Sequence, residues 1–504
     1  MSQTRLVLRG SASNIVRLVL STLIAFILPP FLVRHLPQAE YSAWVLIIQL
    51  STYVNLLDFG LQTAIAKFVA EHYATGDRDA NYRLVSTSVV ALSSAALIGS
   101  AVICVMVWRV PQLFHQMPPP LLRDVRLGLL MVGLSSAISL PFSPFLAVFT
   151  GLQEYAYPTA VTSISKLASA ASLVILLLLH GDLVELASAI AVCNLATAVA
   201  QWAVWRRFAR ERVAFSFPAF DRASAAKLTK FGGALAIWTI GGLCVSGLDI
   251  VIVGHFDYGN TGFYAVAASA VNFLVTIVSS VFGPLIPAVS ALQSKRLPTQ
   301  IGEIAIRTTR YCTLVLSVLA LPLFIGAFPL LRLWVGPQYA ARSEVFLQVL
   351  LVGNLLRQLF YPYSLVIVAI GKQHVATIAA VAEGAVNLTA SMLLARRMGA
   401  IGVAYGTIIG SFVSVTLHLG VSMDLTKATV VLARSRFVIQ GLLRPLLCIV
   451  PALFLYPFWR RSEIIPATPI ALLSWLVLTV VIIWAVGLND SDRQQIRKMA
   501  FGSK

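Results

Sequence analysis

Fourteen apolar stretches, each long enough to cross a bilayer, follow one another along this chain. A helix needs about 20 apolar residues to span the hydrocarbon. The cores lie near residues 13–33, 42–69, 84–108, 127–150, 158–179, 183–205, 229–253, 262–289, 309–331, 344–370, 374–395, 401–423, 438–458 and 467–487. In lipid every backbone amide must be satisfied internally, which leaves helices or a closed barrel. Barrel strands are about ten residues long and alternate in polarity. Runs such as LVILLLL do not alternate, so the expected fold is an all-α polytopic membrane protein with 14 transmembrane helices. Composition agrees: 58% of the 504 residues are hydrophobic and 12% are charged, against roughly 25% charged in soluble domains.

The net charge of +18 does not point to nucleic acid, because the basic residues cluster at the ends of apolar runs. With the N-terminus placed in the cytoplasm, 25 Lys and Arg fall on the inner side and 10 on the outer. Basic residues favour the cytoplasmic side of short loops, so both termini are expected to be cytoplasmic, as an even number of spans requires. The first apolar run is long and lacks a small-residue cleavage site, which argues against a cleavable signal peptide. Cys104, Cys193, Cys244, Cys312 and Cys448 each sit inside an apolar run and form no CxxC pair. They read as buried small hydrophobes, with no disulfide framework or zinc site.

The longest polar connection, with RRFARER and FPAFDRASAAK, separates spans 6 and 7. If spans 1–6 and 7–12 are copies, features should recur at one offset. LVRHL around His35 meets IVGHF around His255 at an offset of 220. TGLQEY, with Gly151 and Gln153, meets AIGKQHV, with Gly371 and Gln373, at the same offset. Each copy has an even number of spans, so the two are parallel repeats about an axis along the membrane normal. The expected organisation is an N-lobe at 1–207, a cytoplasmic linker at 208–228, a C-lobe at 229–425, and spans 13–14 with a cytoplasmic tail at 426–504.

The strongest local signature runs PPFLVRHLPQAEYSAWVLIIQLSTYVNLLDFGLQTAIAKFVAEHYATGD across spans 1 and 2. It resembles the polysaccharide transporter family, the Wzx-type lipid-linked oligosaccharide flippases of the MOP exporter superfamily. The plan of 12 spans plus two agrees over the whole chain. The resemblance implies a MOP/MATE-like fold in the bacterial inner membrane. It also implies undecaprenyl-pyrophosphate-linked oligosaccharide as cargo, with polysaccharide polymerase machinery as a partner.

Ionisable residues inside spans are costly and mark cavities or partners. Arg17, Lys67, Lys166 and Arg357 are basic; Asp58, Asp249 and Glu383 are acidic. Lys166 and Glu383 lie within one turn of repeat-equivalent positions. They form either a salt bridge closing one conformation or a basic site gated by an acid. Arg357 lies about 20 Å into span 10 at 1.5 Å per residue, with no acid within a turn on its own helix. Its planar fork suits a phosphate and stays charged when buried; otherwise it pairs across helices with Asp58 or Asp249. Arg357, Lys166 and Arg17 are the expected substrate contacts, and Asp58, Asp249 and Glu383 the expected gating or ion-coupling residues. Asp58, before Gly60, also reads as part of a bend. Lys67 reads as snorkelling toward the cytoplasmic headgroups. Pro29–Pro30 predicts a kinked first span. GVAYGTIIG supplies two GxxxG steps in span 12 and predicts close helix packing.

The sequence has no GxxxxGK[ST], no HExxH and no large polar domain. No cofactor, metal or catalytic residue is therefore expected, nor a nucleic-acid partner. A flippase working by alternating access for surface polysaccharide biosynthesis is the first reading. A cation-coupled multidrug or small-molecule exporter of the same superfamily is the second. A membrane-embedded polysaccharide polymerase or ligase is the third.

Overall fold

The computed structural model describes residues 20–216 and 219–448, together with 477, 480–484 and 493. Every regular element among them is helical. The first half of the described chain contains α1 (Leu20–His35), α2 (Gln38–Thr52), α3 (Leu61–Thr75), α4 (Arg78–Leu113), α5 (Pro119–Ser139), α6 (Ser143–Gly151), α7 (Ala156–Leu178) and α8 (Leu183–Phe208). After the polar linker come α9 (Arg222–Gly242), α10 (Asp249–Phe256), α11 (Thr261–Phe282), α12 (Leu285–Ser294) and α13 (Pro298–Ile325). They are followed by α14 (Ala327–Val335), α15 (Pro337–Gln358), α16 (Tyr361–Ala369), α17 (Gln373–Met398) and α18 (Ala400–Leu417).

Joined across their short internal breaks, these helices give 11 segments among the described residues that are long and apolar enough to span a membrane, with α1 as a shorter apolar helix. The chain is a multi-pass membrane protein. Expected spans 2 to 12 each coincide with one of the 11 segments. Most of the expected spans 13 and 14 lies outside the described residues. The division between spans 4 and 5 falls at residues 152–155, where Leu152 leaves α6 and Tyr155 precedes α7.

Several spans are broken rather than straight. The second span tightens into a 3-10 turn at Tyr53–Asp58, then passes through two left-handed residues, Phe59 (φ 46°) and Gly60 (φ 71°), before α3. Left-handed backbone costs a non-glycine residue energy, and Gly60 supplies half of this bend without that cost. The fourth span breaks at Leu140–Phe142, where Pro141 removes a donor, and the tenth breaks at Leu359–Phe360 ahead of Pro362. The seventh span holds a π-helical segment at Leu243–Gly247 between α9 and α10. In the first span the helix runs on through Pro29 and Pro30 without a break.

Three of the helix starts among the described residues, those of α4, α8 and α9, are closed by side chains. Asp182 and Glu185 form a reciprocal capping box at the start of α8, with bonds of 2.7 and 3.1 Å. Asp77 accepts from the Ala80 amide at 2.9 Å ahead of α4. Such caps satisfy amides that a helix start leaves open.

By internal contacts the chain forms two compact units: residues 1–243 with 247–265, and residues 244–246 with 266–504. In the first unit, Ile65, Val69, Val85, Phe145, Phe149 and Trp205 form a buried apolar cluster. Trp205 donates to the Val213 carbonyl at 3.1 Å. Arg212 beside it makes a two-pronged pair with Glu154 at 2.8 and 3.0 Å. In the second unit, Gly402, Gly406 and Gly410 let α18 press against α17. A Cβ at Gly406 would lie 2.7 Å from the Ser391 amide nitrogen, and one at Gly410 would lie 2.7 Å from the Asn387 Cβ. The GxxxG steps therefore mark close helix packing, as expected. The cysteines are unbridged among the described residues; Cys312 and Cys448 are buried, whereas Cys104, expected inside, lies on an exposed face of α4.

Candidate functional site

The second unit assembles its polar residues on α17. Glu383, Asn387 and Ser391 recur every four residues and so share one helix face. All three are buried. The Arg357 Nε donates to the Glu383 Oε1 at 2.7 Å, and its NH1 reaches the Asn354 Oδ1 at 3.4 Å. The Arg357 NH2 is buried and makes no hydrogen bond among the described residues. The guanidinium is thus half used: one edge is spent on Glu383, while another nitrogen keeps its donor capacity. One turn along α17, the Asn387 amide donates to the carbonyls of Val245 at 2.6 Å and Cys244 at 3.2 Å. These carbonyls belong to the π-helical segment.

The first unit gathers a second polar group around α10. Asp249, 6% exposed, accepts from the Tyr264 hydroxyl at 3.2 Å. Gln49 and Tyr53 both donate to the Gly247 carbonyl, at 2.9 and 2.5 Å. Asp58 sits at the bend after the 3-10 turn, hydrogen-bonded to Gln62. Its Oδ1 is buried and makes no hydrogen bond among the described residues. The Lys166 Nζ donates to the Ser21 hydroxyl at 2.8 Å, joining α7 to α1. Lys67 lies over the rings of Phe68 and Phe231, at 5.3 and 4.8 Å from their centroids. A cation over aromatic faces is held by the ring quadrupoles.

Of the residues singled out from the sequence, Arg357 and Glu383 are brought into direct contact. Glu383, rather than Asp58 or Asp249, is the cross-helix partner of Arg357. Asp249, Asp58 and Lys166 have the separate surroundings given above, and Arg17 lies outside the described residues. Sequence reasoning missed Asn387, Gln49, Tyr53 and Tyr264. Asn387 carries a signal in its spacing, one turn from Glu383 and facing the glycine steps of α18. The others are ordinary polar residues in apolar helices.

Within the first unit, the turn between α1 and α2 touches the turn between α10 and α11. The Tyr258 hydroxyl donates to the Ala39 carbonyl at 2.7 Å, and the Gln38 amide donates to the Gly259 carbonyl at 2.6 Å. The Gly262 amide donates to the Ser42 Oγ at 3.1 Å. Gln116 adds bonds to the Phe256 carbonyl at 3.0 Å and the Tyr258 amide at 3.2 Å.

The family profile described as polysaccharide biosynthesis protein matches residues 7–293, more than half of the chain. The chain belongs to that family. Within the fold, it is similar to a lipid II flippase, MurJ, in an inward closed conformation. The TM-score is 0.70 at 12% identity, covering 98% of this chain and 99% of that one. It is also similar to an inward-facing multidrug resistance MATE transporter of the MOP superfamily. There the TM-score is 0.65 at 11% identity, over 81% of this chain and 95% of that one. A MOP superfamily transporter from Pyrococcus furiosus aligns with a TM-score of 0.55 at 12% identity, over 84% and 96%. No curated protein sequence matches the chain. The family thus has here a MOP-type transporter fold, as the signature of spans 1 and 2 implied.

Proposed function

We propose that this protein is a flippase that carries an undecaprenyl-pyrophosphate-linked oligosaccharide across the bacterial inner membrane for surface polysaccharide synthesis. Family membership together with near-complete alignment on a lipid II flippase carries this reading. The flippase alignment leaves 2% of this chain unmatched, and the multidrug transporter alignment leaves 19%. That difference is the size expected of an added pair of spans after a core of 12.

Two parallel six-span repeats, with spans 13 and 14 added and both termini cytoplasmic, underlie the mechanism. The mid-span breaks at Leu140–Phe142 and Leu359–Phe360 support the duplication, as do the left-handed turn residues Gln153 (φ 63°) and Gly371 (φ 78°). These turns align at an offset of 218, two short of the residue matches at 220, so Gly151 ends its helix where Gly371 already lies in the turn. The lobes alternate access; the prenyl chain stays in lipid while the headgroup crosses. Arg357, Lys166 and Arg17 contact the diphosphate; Asp58, Asp249 and Glu383 serve gating or ion coupling. In the basal pairing Glu383 occupies Arg357, and the diphosphate competes for that guanidinium.

Transport, rather than polymerisation or ligation, is the activity. The second reading, a cation-coupled exporter, draws on the carboxylates of Asp58 and Asp249 in the first unit. The deciding experiment measures transfer of fluorescent undecaprenyl-pyrophosphate-linked sugar across proteoliposomes holding the full chain, beside a cationic dye. Lipid transfer without dye transport is expected. Dye transport alone would replace the flippase by the exporter.

A further inference from the structure

The turn between α4 and α5 is fastened to the end of α10 at several points. Gln116 donates to the Phe256 carbonyl at 3.0 Å and accepts from the Tyr258 amide at 3.2 Å. Phe114 and Met117 of that turn are buried. Gly254 lets the turn come close: a Cβ there would lie 3.1 Å from the Phe114 ring. This fastening brings two histidines together, His115 from the turn and His255 from α10. Their ring centroids lie 5.8 Å apart, with the ring planes at 66°.

The two imidazoles are prepared in different ways. The His255 Nδ1 meets the carbonyl of Leu113, the last residue of α4. A carbonyl oxygen can only accept, so Nδ1 carries the proton of the neutral ring and the lone pair lies on Nε2. A carbonyl that pins one ring nitrogen in this way orients the other toward a metal. His115 is exposed, and its ring nitrogens make no hydrogen bond among the described residues. With metal–nitrogen bonds of about 2.0–2.1 Å, two imidazoles on one zinc ion hold their centroids roughly 5–6 Å apart. The observed spacing of 5.8 Å falls inside that window. The fastened turn means that the two rings need little rearrangement to share an ion.

We propose that His115 and His255 form a binding site for a borderline divalent cation, zinc or copper(II). The site stands apart from the flippase reading and does not depend on it. No group of three or more His, Cys, Asp or Glu with metal-binding geometry occurs among the described residues. Two protein nitrogens therefore hold the ion and water completes its shell. Such an ion exchanges with solution, unlike one closed in by the four ligands of a structural zinc site. Imidazole nitrogen selects zinc and copper, whereas magnesium and calcium take oxygen ligands. The bound ion ties the α4–α5 turn to α10 and stabilises the folded chain by mass action.

The test uses the full-length protein without a polyhistidine tag, stripped by chelator in detergent. Zinc chloride, copper(II) chloride and magnesium chloride are titrated in turn, with calorimetry and the thermal midpoint as readouts. Saturable zinc binding in the micromolar range with a raised midpoint is expected, and no response to magnesium. His115→Ala should weaken zinc binding by at least about ten-fold. His180→Ala, a change at another exposed histidine, should leave it unaltered. Copper(II) spin resonance should count two imidazole nitrogens in the unmodified chain and one in His115→Ala. His255→Gln should lose the ion as well. If that variant fails to fold for want of its bond to Leu113, the exposed His115 carries the test alone. No saturable zinc binding would reduce the pair to a ring contact and overturn the site. Zinc affinity unchanged in His115→Ala, or a single nitrogen on copper in the unmodified chain, would overturn it too.

Discussion

The Arg357 guanidinium meets the Glu383 carboxylate at 2.7 Å between α15 and α17, with side-chain exposures of 19% and 5%. The pair sits inside helices that cross the membrane, where two opposite charges near each other cost less than either alone. The Arg357 NH2 nonetheless stays without a hydrogen bond among the described residues.

A charge swap separates structure from chemistry at this pair. Arg357→Ala leaves Glu383 buried without its cation, and breaking a buried pair costs about 3–5 kcal/mol. Arg357→Glu with Glu383→Arg restores the pair and should restore protein level. If Arg357 acts only through Glu383, the swap restores polysaccharide export as well. The flippase reading expects export to stay at least about ten-fold low, because the guanidinium has moved to the other helix and a phosphate fork is directional. Surface polysaccharide per unit of membrane protein is the measurement.

Arg357→Lys is the milder companion. It keeps the charge and the pairing with Glu383 but loses the planar fork. Folded protein should be recovered at near-normal yield, with export reduced. Full export from Arg357→Lys would remove the bidentate contact and leave a point charge as sufficient.

Gly406→Leu should strike stability, not chemistry. A Cβ at Gly406 comes within 2.7 Å of the Ser391 amide nitrogen and 2.8 Å of its Cα, so the helices must part. Overpacking of this kind costs about 1–3 kcal/mol, read as a lower midpoint of thermal aggregation in detergent. An unchanged midpoint would mean that α17 and α18 separate without penalty.

Gln49 and Tyr53 serve one acceptor, the Gly247 carbonyl. Tyr53→Phe alone should cost about 1 kcal/mol or less, since Gln49 still satisfies the carbonyl. Tyr53→Phe with Gln49→Leu should cost more than the sum of the two, because only the double variant orphans the acceptor. Additive midpoints would show that another donor takes over.

The start of α9 gives a pH dependence outside the membrane. The Ser224 hydroxyl and backbone amide hold the Asp221 carboxyl below its ordinary value. A carboxylate with a lowered folded value stabilises the cap fully above the unfolded value and loses that contribution as pH falls through the folded one. Hydrogen-exchange protection of residues 222–225 should therefore decline toward strongly acidic pH, after correction for intrinsic exchange. Asp221→Asn should remove the dependence; if it persists in that variant, another group controls the cap.

The spans were legible because the bilayer imposes one demand, length of apolar sequence, that leaves its mark residue by residue. Breaks marked by Gly60 and Pro141 were also readable, since those residues change the local backbone by themselves. The π-helical segment at Leu243–Gly247 was not, because no residue there forces it; its carbonyls accept from Asn387, Gln49 and Tyr53. Arg357 could be found as a charge in an apolar run. Its partner could not, since contact between α15 and α17 depends on how each helix is rotated about its axis. The His35 and His255 matches located these two turns, yet gave no hint that equivalent positions would touch.

The π-helical segment has a genetic consequence. A π-helical turn holds one residue more than the α-helical turn it replaces. Removing one residue between Gly242 and Asp249 is therefore taken up by closing the segment into ordinary α-helix, whereas the same deletion within α9 or α11 turns the two sides of the cut by about 100° relative to each other. In a deep library of variants, these few positions should tolerate a single-codon deletion that neighbouring helical positions do not.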